Sequence, residues 1–175
     1  MLSSYGYDTG AFGKWHNTPT THVTTKGPFD LWPTGLGFRY FYGFMAGETS
    51  QWEPRLFENT NPIEPPATPD EGYHLTEDLA DKTIRFIRDN RAVTPDRPMF
   101  IYLAPGATHG PHQVAREWSE KYRGRFDEGW EALRETVFAN QKAIGIVPPD
   151  AELSRHDPDV PRWESLSDDE KTLYA

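Results

Sequence analysis

Runs of hydrophobic residues along the chain predict three strands and one helix within residues 1–104. Pro98–Ala104 is apolar throughout after its proline, which is typical of a strand that has neighbours on both edges and is buried on both faces. A short glycine-punctuated segment predicts a strand at Asp8–Lys14, and an aromatic, glycine-rich stretch predicts a strand or hairpin at Gly37–Phe44. Apolar residues at helical spacing predict a helix over Thr76–Arg91, with Thr76 as its N-cap. Together these elements indicate an α/β fold.

Two further helices are predicted in the last third of the chain. A short one spans Ala115–Arg123 and stops at Gly124, and a longer one spans Asp127–Ala143 with Asp127 as its N-cap and Gly145 after it. Four apolar residues of the longer helix are expected to face inward: Trp130, Leu133, Val137 and Phe138. A proline-rich connector follows over residues 147–162.

The two ends of the chain carry helix signals in an unusual order. Gly6 follows Tyr5 as a glycine follows the last turn of a helix, although only five residues precede it. Ser167 and Glu170 form a capping box that would open a helix with only a few residues left to run. We therefore expect residues 1–175 to be an internal part of a larger domain, truncated at both ends.

Composition narrows the possible partners. Aromatic residues make up 14% of the 175 residues and supply large buried areas, so a folded core is expected. The net charge of −9 argues against nucleic acid or an anionic membrane surface as a partner.

No run approaches the roughly 18 apolar residues of a membrane span, and no signal segment is recognisable, so the compartment stays open with the cytoplasm favoured. With no cysteine, disulfides and thiolate metal sites are excluded, and the oligomeric state is open.

Two clusters carry candidate chemistry, and each directly follows a predicted strand. In the first, Lys14 and His16 are two residues apart, so an extended segment would present both on one side. A fixed cation beside an imidazole suits a site that holds an anionic oxygen and moves a proton. The second cluster contains His109, which would lie beyond the carboxyl end of its strand, where ligands bind in open α/β sheets.

A zinc site is the alternative interpretation of the second cluster. His109 and His112 could both be metal ligands. However, Gly110 and Pro111 between them predict a turn rather than one helix face, and the sequence offers no third ligand nearby. No metal ligand is therefore assigned.

The two clusters together resemble the type I sulfatase family, in its bacterial arylsulfatase branch. The string Gly-Tyr-Asp-Thr-Gly-Ala-Phe-Gly-Lys-Trp-His at residues 6–16 is similar to the segment that lines the sulfate pocket of that family with a Lys and a His. Thr-His-Gly-Pro-His-Gln at residues 108–113 resembles its second histidine segment, and the separation of 93 positions from His16 to His109 is also like the family. The stretches at residues 41–52, 129–134 and 165–175 extend the resemblance over nearly the whole chain.

The resemblance implies a fold, an activity and three site residues. The fold would be an incomplete alkaline-phosphatase-like α/β fold, with a mostly parallel sheet flanked by helices. The activity would be hydrolysis of a small-molecule sulfate ester. Lys14 would bind a sulfate oxygen and the nucleophile, His16 would take a proton from the nucleophile to release sulfate, and His109 would contact the ester oxygen beside the leaving group. His112 falls where the family has an ordinary packing residue.

Two parts of the family's machinery are missing from the sequence. Members use a formylglycine made from a Cys or Ser in a Cys/Ser-x-Pro-x-Arg motif, and the chain has neither that cysteine nor that serine motif. They also bind Ca²⁺, whose ligands are not expected in this chain. We therefore expect the isolated chain to be inactive. The alternatives are a phosphonate or phosphodiester hydrolase of the same superfamily, and a non-catalytic sulfatase remnant.

Overall fold

The computed structural model describes all of residues 1–175, which form five strands and four α-helices. The strands are β1 (Asp8–Lys14), β2 (Tyr40–Phe44), β3 (Leu56–Glu58), β4 (Asn61–Ile63) and β5 (Met99–Ala104). The helices are α1 (Leu75–Val93), α2 (Arg116–Glu120), α3 (Gly129–Ala143) and α4 (Asp168–Tyr174). The chain divides into two compact units, Met1–Val114 and Ala115–Ala175. No helix has both the length and the apolar character needed to cross a membrane.

All five strands belong to one mixed sheet in the first unit. Their order across the sheet is β4-β3-β2-β1-β5. The three longest strands are parallel, with β1 pairing to β2 on one side and to β5 on the other. The short strands β3 and β4 add an antiparallel hairpin beyond β2. That hairpin was not predicted, because its three-residue strands are too short to give a hydrophobic pattern.

The strand that is buried on all sides is β1 rather than β5. Six of the seven residues of β1 are buried, and it has a strand on each edge. Pro98–Ala104, which is apolar enough to expect neighbours on both edges and cover on both faces, has only one neighbour within this chain, since β5 lies at the edge of the sheet. Phe100 and Leu103 of β5 are 41% and 46% exposed. An apolar run indicates that a strand is buried in the complete fold, but it does not show which segments bury it.

Different layers cover the two faces of the sheet. Helix α1 packs on one face, where alternate residues of β2, Tyr42 and Phe44, join Leu75 and Leu79 of the helix in one core. On the other face, the long aromatic segment before β2 packs against the sheet and buries Trp32 completely. Edge-to-face contacts join Trp32 to Phe57 of β3 and to Phe29 of the same segment. The segment between β1 and β2 is therefore a packed layer of the fold.

The start of α1 is one residue earlier than predicted and is capped by a different residue. His74 is the N-cap, and its Nδ1 accepts a hydrogen bond from the Thr76 backbone N–H at 3.3 Å. The predicted N-cap, Thr76, lies inside the first turn. Sequence reasoning favoured Thr76 because threonine is a common N-cap, whereas histidine acts here through a ring nitrogen.

One carboxylate of α1 joins the helix to the sheet. Asp78 accepts hydrogen bonds from the phenols of Tyr42 at 2.6 Å and Tyr73 at 3.0 Å. Burial raises the pKa of both phenols above the ordinary value, and the bonds to Asp78 raise it further. Tyr40 pairs in the same way with Glu58 of β3. Neutral phenols and ionised acceptors thus hold the helix, the sheet and the hairpin together.

A buried carboxylate also ties the amino ends of the parallel strands. Asp8, at the start of β1, contacts Arg39 just before β2 and Arg97 just before β5, each at 3.1 Å. Thr94 adds a hydrogen bond at 3.3 Å. Because both arginines are partly exposed, the carboxylate is paired without burying an excess of charge.

The second unit contains three helices, and two of its tryptophans pack against each other. Trp130 of α3 meets Trp163 edge-to-face, with ring centroids 5.0 Å apart. Helix α3 begins at Gly129 with Glu128 as its N-cap, so the predicted N-cap Asp127 is wrong. Two residues of its expected inward stripe, Leu133 and Val137, are each 43% exposed. The Trp163 segment packs on the first turn of α3 and leaves the later turns with less cover.

Local signals at the two ends behave as predicted. Gly6 ends a short 3₁₀ turn in the left-handed conformation, with φ of 84°. Ser167 and Glu170 form the capping box that opens α4. These features depend only on neighbouring residues, so the sequence reveals them directly.

Candidate active site

Three chain segments meet at the carboxyl edge of the parallel strands. Because β1 runs parallel to both β2 and β5, the ends of these strands face the same way. In the register, Lys14 pairs with Phe44 and Gly13 pairs with Ala104, so the three strands end almost level. The residues immediately after each strand therefore share one edge, the position where open α/β sheets bind ligands.

Lys14 is the last residue of β1 and is half-buried. The preceding residue, Gly13, has φ of 100°, and a Cβ there would lie 2.1 Å from the carbonyl oxygen of Ala104. Only glycine allows this close approach of β1 to β5 directly before the lysine. The Lys14 ammonium forms no hydrogen bond or ion pair within the chain, so its charge is available to an anion.

His16 lies two residues beyond the strand and is exposed. Its ring packs on Gly47 in the segment after β2: a Cβ at position 47 would lie 2.8 Å from the Cε1 atom of His16. A side chain at Gly47 would therefore displace the imidazole. Neither nitrogen of His16 has a hydrogen-bond partner in the chain, so both are free to bind or transfer a proton.

His109 lies in the segment after β5 and is also exposed. Its backbone N–H donates to the carbonyl of Gly106 at 3.1 Å, and its Nδ1 is 3.0 Å from the carbonyl of Gly110. The same nitrogen is 3.5 Å from Oε2 of Glu48, the residue after Gly47. The two imidazoles thus contact consecutive residues of the loop after β2.

Further hydrogen bonds hold the histidine segment in place. The side-chain oxygen of Gln113 accepts from the backbone N–H of Gln51 at 2.8 Å and faces the hydroxyl of Ser50 at 3.3 Å. The backbone carbonyl of Gln113 is 3.1 Å from Nε2 of His74, the N-cap of α1. Since Nδ1 of His74 accepts a bond at the helix start, its Nε2 carries the proton and donates to this carbonyl.

Sequence reasoning therefore missed several supporting residues. Glu48 and Gln113 lie inside the quoted family-like strings, but nothing in their spacing shows that they meet the other segments. His74 belongs to neither candidate cluster of the sequence, yet it links α1 to the histidine segment. Only contacts between distant parts of the chain reveal these roles.

The chain does not offer a metal-binding cluster. No group of three or more His, Asp or Glu side chains is arranged to hold an ion. His112 is exposed and makes no bond to the other site residues. The residues of this chain therefore do not by themselves bring together a ligand set for zinc or for calcium.

Comparison with known proteins gives consistent matches. A sequence model of the sulfatase family matches residues 1–168. An arylsulfatase of Klebsiella aerogenes is 28% identical, over 97% of this chain and 36% of its own length. An uncharacterized sulfatase of Schizosaccharomyces pombe is also 28% identical, over all of this chain and 32% of its own length. The chain thus spans about a third of the length of these relatives.

A solved structure is similar to the greater part of the fold. It is the crystal structure of Ps i-CgsB in complex with k-i-k-neocarrahexaose, with a TM-score of 0.55 and 25% identity over 70% of this chain and 28% of that chain. The predicted fold class, an alkaline-phosphatase-like α/β fold represented in part, is confirmed.

Proposed function

Because this chain belongs to the sulfatase family, we propose that it supplies a sulfate-binding lysine and two histidines to the active site of a sulfuric-ester hydrolase. The substrate is a small-molecule sulfate ester of the arylsulfatase type. The 175 residues then form an internal part of a larger catalytic domain, in keeping with their coverage of about a third of the relatives.

The observation that carries this proposal is the arrangement at the carboxyl edge of the sheet. Lys14 and His16 leave β1 where the loop after β2 begins, and that loop contacts both His16 and His109. A cation without a partner and two imidazoles with free nitrogens form a suitable set for an anionic ester.

Each residue has a chemical task that suits its environment. Lys14 binds a non-bridging sulfate oxygen and neutralises part of its charge. His16, with no bond to the chain, transfers a proton during release of sulfate. His109, fixed through Nδ1, contacts the ester oxygen of the leaving group through Nε2. None of these tasks replaces a covalent nucleophile or a metal ion.

Binding of sulfate to the 175-residue chain tests the proposal without requiring turnover. Titration of the isotope-labelled chain with sodium sulfate, at constant ionic strength set by chloride, should shift the NMR signals of Lys14, His16 and His109. Lys14→Ala should abolish these shifts, whereas the matched control Lys26→Ala, an exposed lysine of the aromatic segment, should keep them. Shifts that persist unchanged in Lys14→Ala would contradict the assignment.

Turnover gives a second test. The purified chain should not hydrolyse an aryl sulfate, with or without Ca²⁺, because no side chain here replaces the missing nucleophile. Hydrolysis that disappears in Lys14→Ala would show that this chain is active alone and that the segment proposal is wrong.

A further inference from the structure

Glu48 lies beside His109, the histidine proposed to contact the leaving group, although the two residues follow different strands. It is the fourth residue after β2, and its Oε2 is 3.5 Å from Nδ1 of His109 in the segment after β5. Nδ1 also lies 3.0 Å from the carbonyl oxygen of Gly110. Two oxygen atoms from separate parts of the chain therefore surround one ring nitrogen.

Both of these oxygens can only accept hydrogen bonds. A backbone carbonyl has no proton to give, and neither has an ionised carboxylate. The arrangement is satisfied only when Nδ1 carries the proton. In the neutral ring Nε2 then has a free lone pair, and it has no hydrogen-bond partner in the chain. The two acceptors thus determine which nitrogen of His109 is open to a ligand.

We propose that Glu48 is a positioning residue that fixes His109 as its Nδ1–H tautomer and keeps Nε2 available to the substrate. The role of that nitrogen at the leaving group rests on the proposed function, whereas the tautomer itself does not. Glu48 does not touch the reacting atoms in this proposal. It acts through the ring, as an orienting carboxylate does for a catalytic histidine in other hydrolases.

The chemistry predicts different results for two substitutions. Glu48→Gln keeps the size of the side chain, but its amide can either accept from Nδ1–H or donate to a bare Nδ1, so both tautomers are allowed. Glu48→Ala removes the side-chain partner and leaves only the carbonyl of Gly110. In both variants the fraction of the Nε2–H tautomer should rise. A change of about two- to five-fold in the tautomer ratio is expected, because both side chains are largely exposed.

Nitrogen NMR of the 175-residue chain tests this directly. Long-range ¹H–¹⁵N spectra at alkaline pH, where imidazoles are neutral, report which ring nitrogen carries the proton. His109→Gln assigns the signal by its loss. The wild-type chain should show His109 mainly as the Nδ1–H form, and Glu48→Gln and Glu48→Ala should shift its ¹⁵N signals toward the other form. The matched control Glu53→Ala, an exposed glutamate of the same loop, should leave them unchanged.

Two outcomes would overturn the proposal. One is a wild-type His109 that is protonated mainly at Nε2. The other is a Glu48→Ala chain whose backbone signals move while the His109 ring nitrogens stay in place, because that result would reveal only a structural role. Sulfate titration of the same samples keeps the two proposals separate. If the wild-type chain does not bind sulfate, but the Glu48 variants still shift the His109 tautomer as expected, only the proposed function is contradicted.

Discussion

Replacement of Asp78 by alanine should destabilise the first unit more than any other change to the surface of α1. Asp78 is the only acceptor of the phenols of Tyr42 and Tyr73, and both tyrosines are buried, at 0% and 5% exposure. Asp78→Ala would therefore leave two buried hydroxyl donors without an acceptor. A buried donor that loses its partner cannot recover the bond from water unless water enters the core.

The size of the effect can be estimated from the two bonds. Hydrogen bonds to a charged group contribute about 1.5–3 kcal/mol each. The 2.6 Å bond from Tyr42 belongs at the upper end of that range and the 3.0 Å bond from Tyr73 at the lower end. Asp78 is partly exposed, so water can recover part of the loss. We expect the free energy of unfolding to fall by about 3–4 kcal/mol, a large share of the roughly 5–15 kcal/mol of a typical domain.

Urea unfolding of dilute protein, followed by tryptophan fluorescence and circular dichroism, measures this change. Glu77→Ala is the matched control, because Glu77 is exposed, lies in the same helical turn and has a side chain that bonds to nothing in the chain. Its loss should cost less than about 1 kcal/mol through the helix dipole alone. Asp78→Asn should fall between the two, since its amide oxygen still accepts a neutral bond.

A double-mutant cycle separates the bond from other effects of the substitution. In a Tyr42→Phe background the phenol is already absent, so Asp78→Ala should cost clearly less than in the wild-type chain. If Asp78→Ala proved no more destabilising than Glu77→Ala, the hydrogen bonds would not hold α1 to the sheet and the reasoning would be refuted.

Two further predictions concern pH and the open edge of the sheet. Folding raises the pKa of Tyr42 and Tyr73, so their contribution to stability is fully present below the pKa of about 10 that they have in the unfolded chain, and it declines as pH rises above that value. Urea unfolding across this pH range should show the decline, and a flat profile would contradict the prediction. The exposed apolar edge at β5 should make the chain aggregate, and Leu103→Lys should reduce light scattering more than Leu36→Lys, a control at a 53% exposed leucine of the segment between β1 and β2. A soluble, stable wild-type monomer with sharp two-state unfolding would refute this prediction.

Sequence reasoning recovered the parts of the fold that short-range chemistry decides. The strand Asp8–Lys14 has the predicted bounds, and Pro98–Ala104 differs from β5 by one residue. Gly6 and the capping box at Ser167 also behave as predicted. Each of these features depends on residues within a few positions of one another. Strand bounds, the glycine after a helical turn and the capping box can therefore be read from the sequence, whereas the N-caps of α1 and α3 could not.

The candidate site was only partly predictable. The strands that precede Lys14 and His109 could be predicted, and parallel pairing of those strands brings the segments after them to one edge of the sheet. That His16 and His109 would both contact the loop after β2 could not be predicted, because contacts of Gly47 and Glu48 depend on how three separate segments fold together. Their roles in catalysis stay predictions.

Tertiary structure alone decided which strand is central, what covers each face and which acceptor meets which donor. The sequence shows that β5 is apolar, but its place at the edge results from pairing with β1 and with nothing else in the chain. In the same way, Asp78 is one of several acidic residues on α1, and only packing against Tyr42 makes it an internal acceptor. Local free-energy preferences act along the chain, whereas burial and hydrogen-bond pairing are set by segments that are distant in sequence and become neighbours only in the folded state.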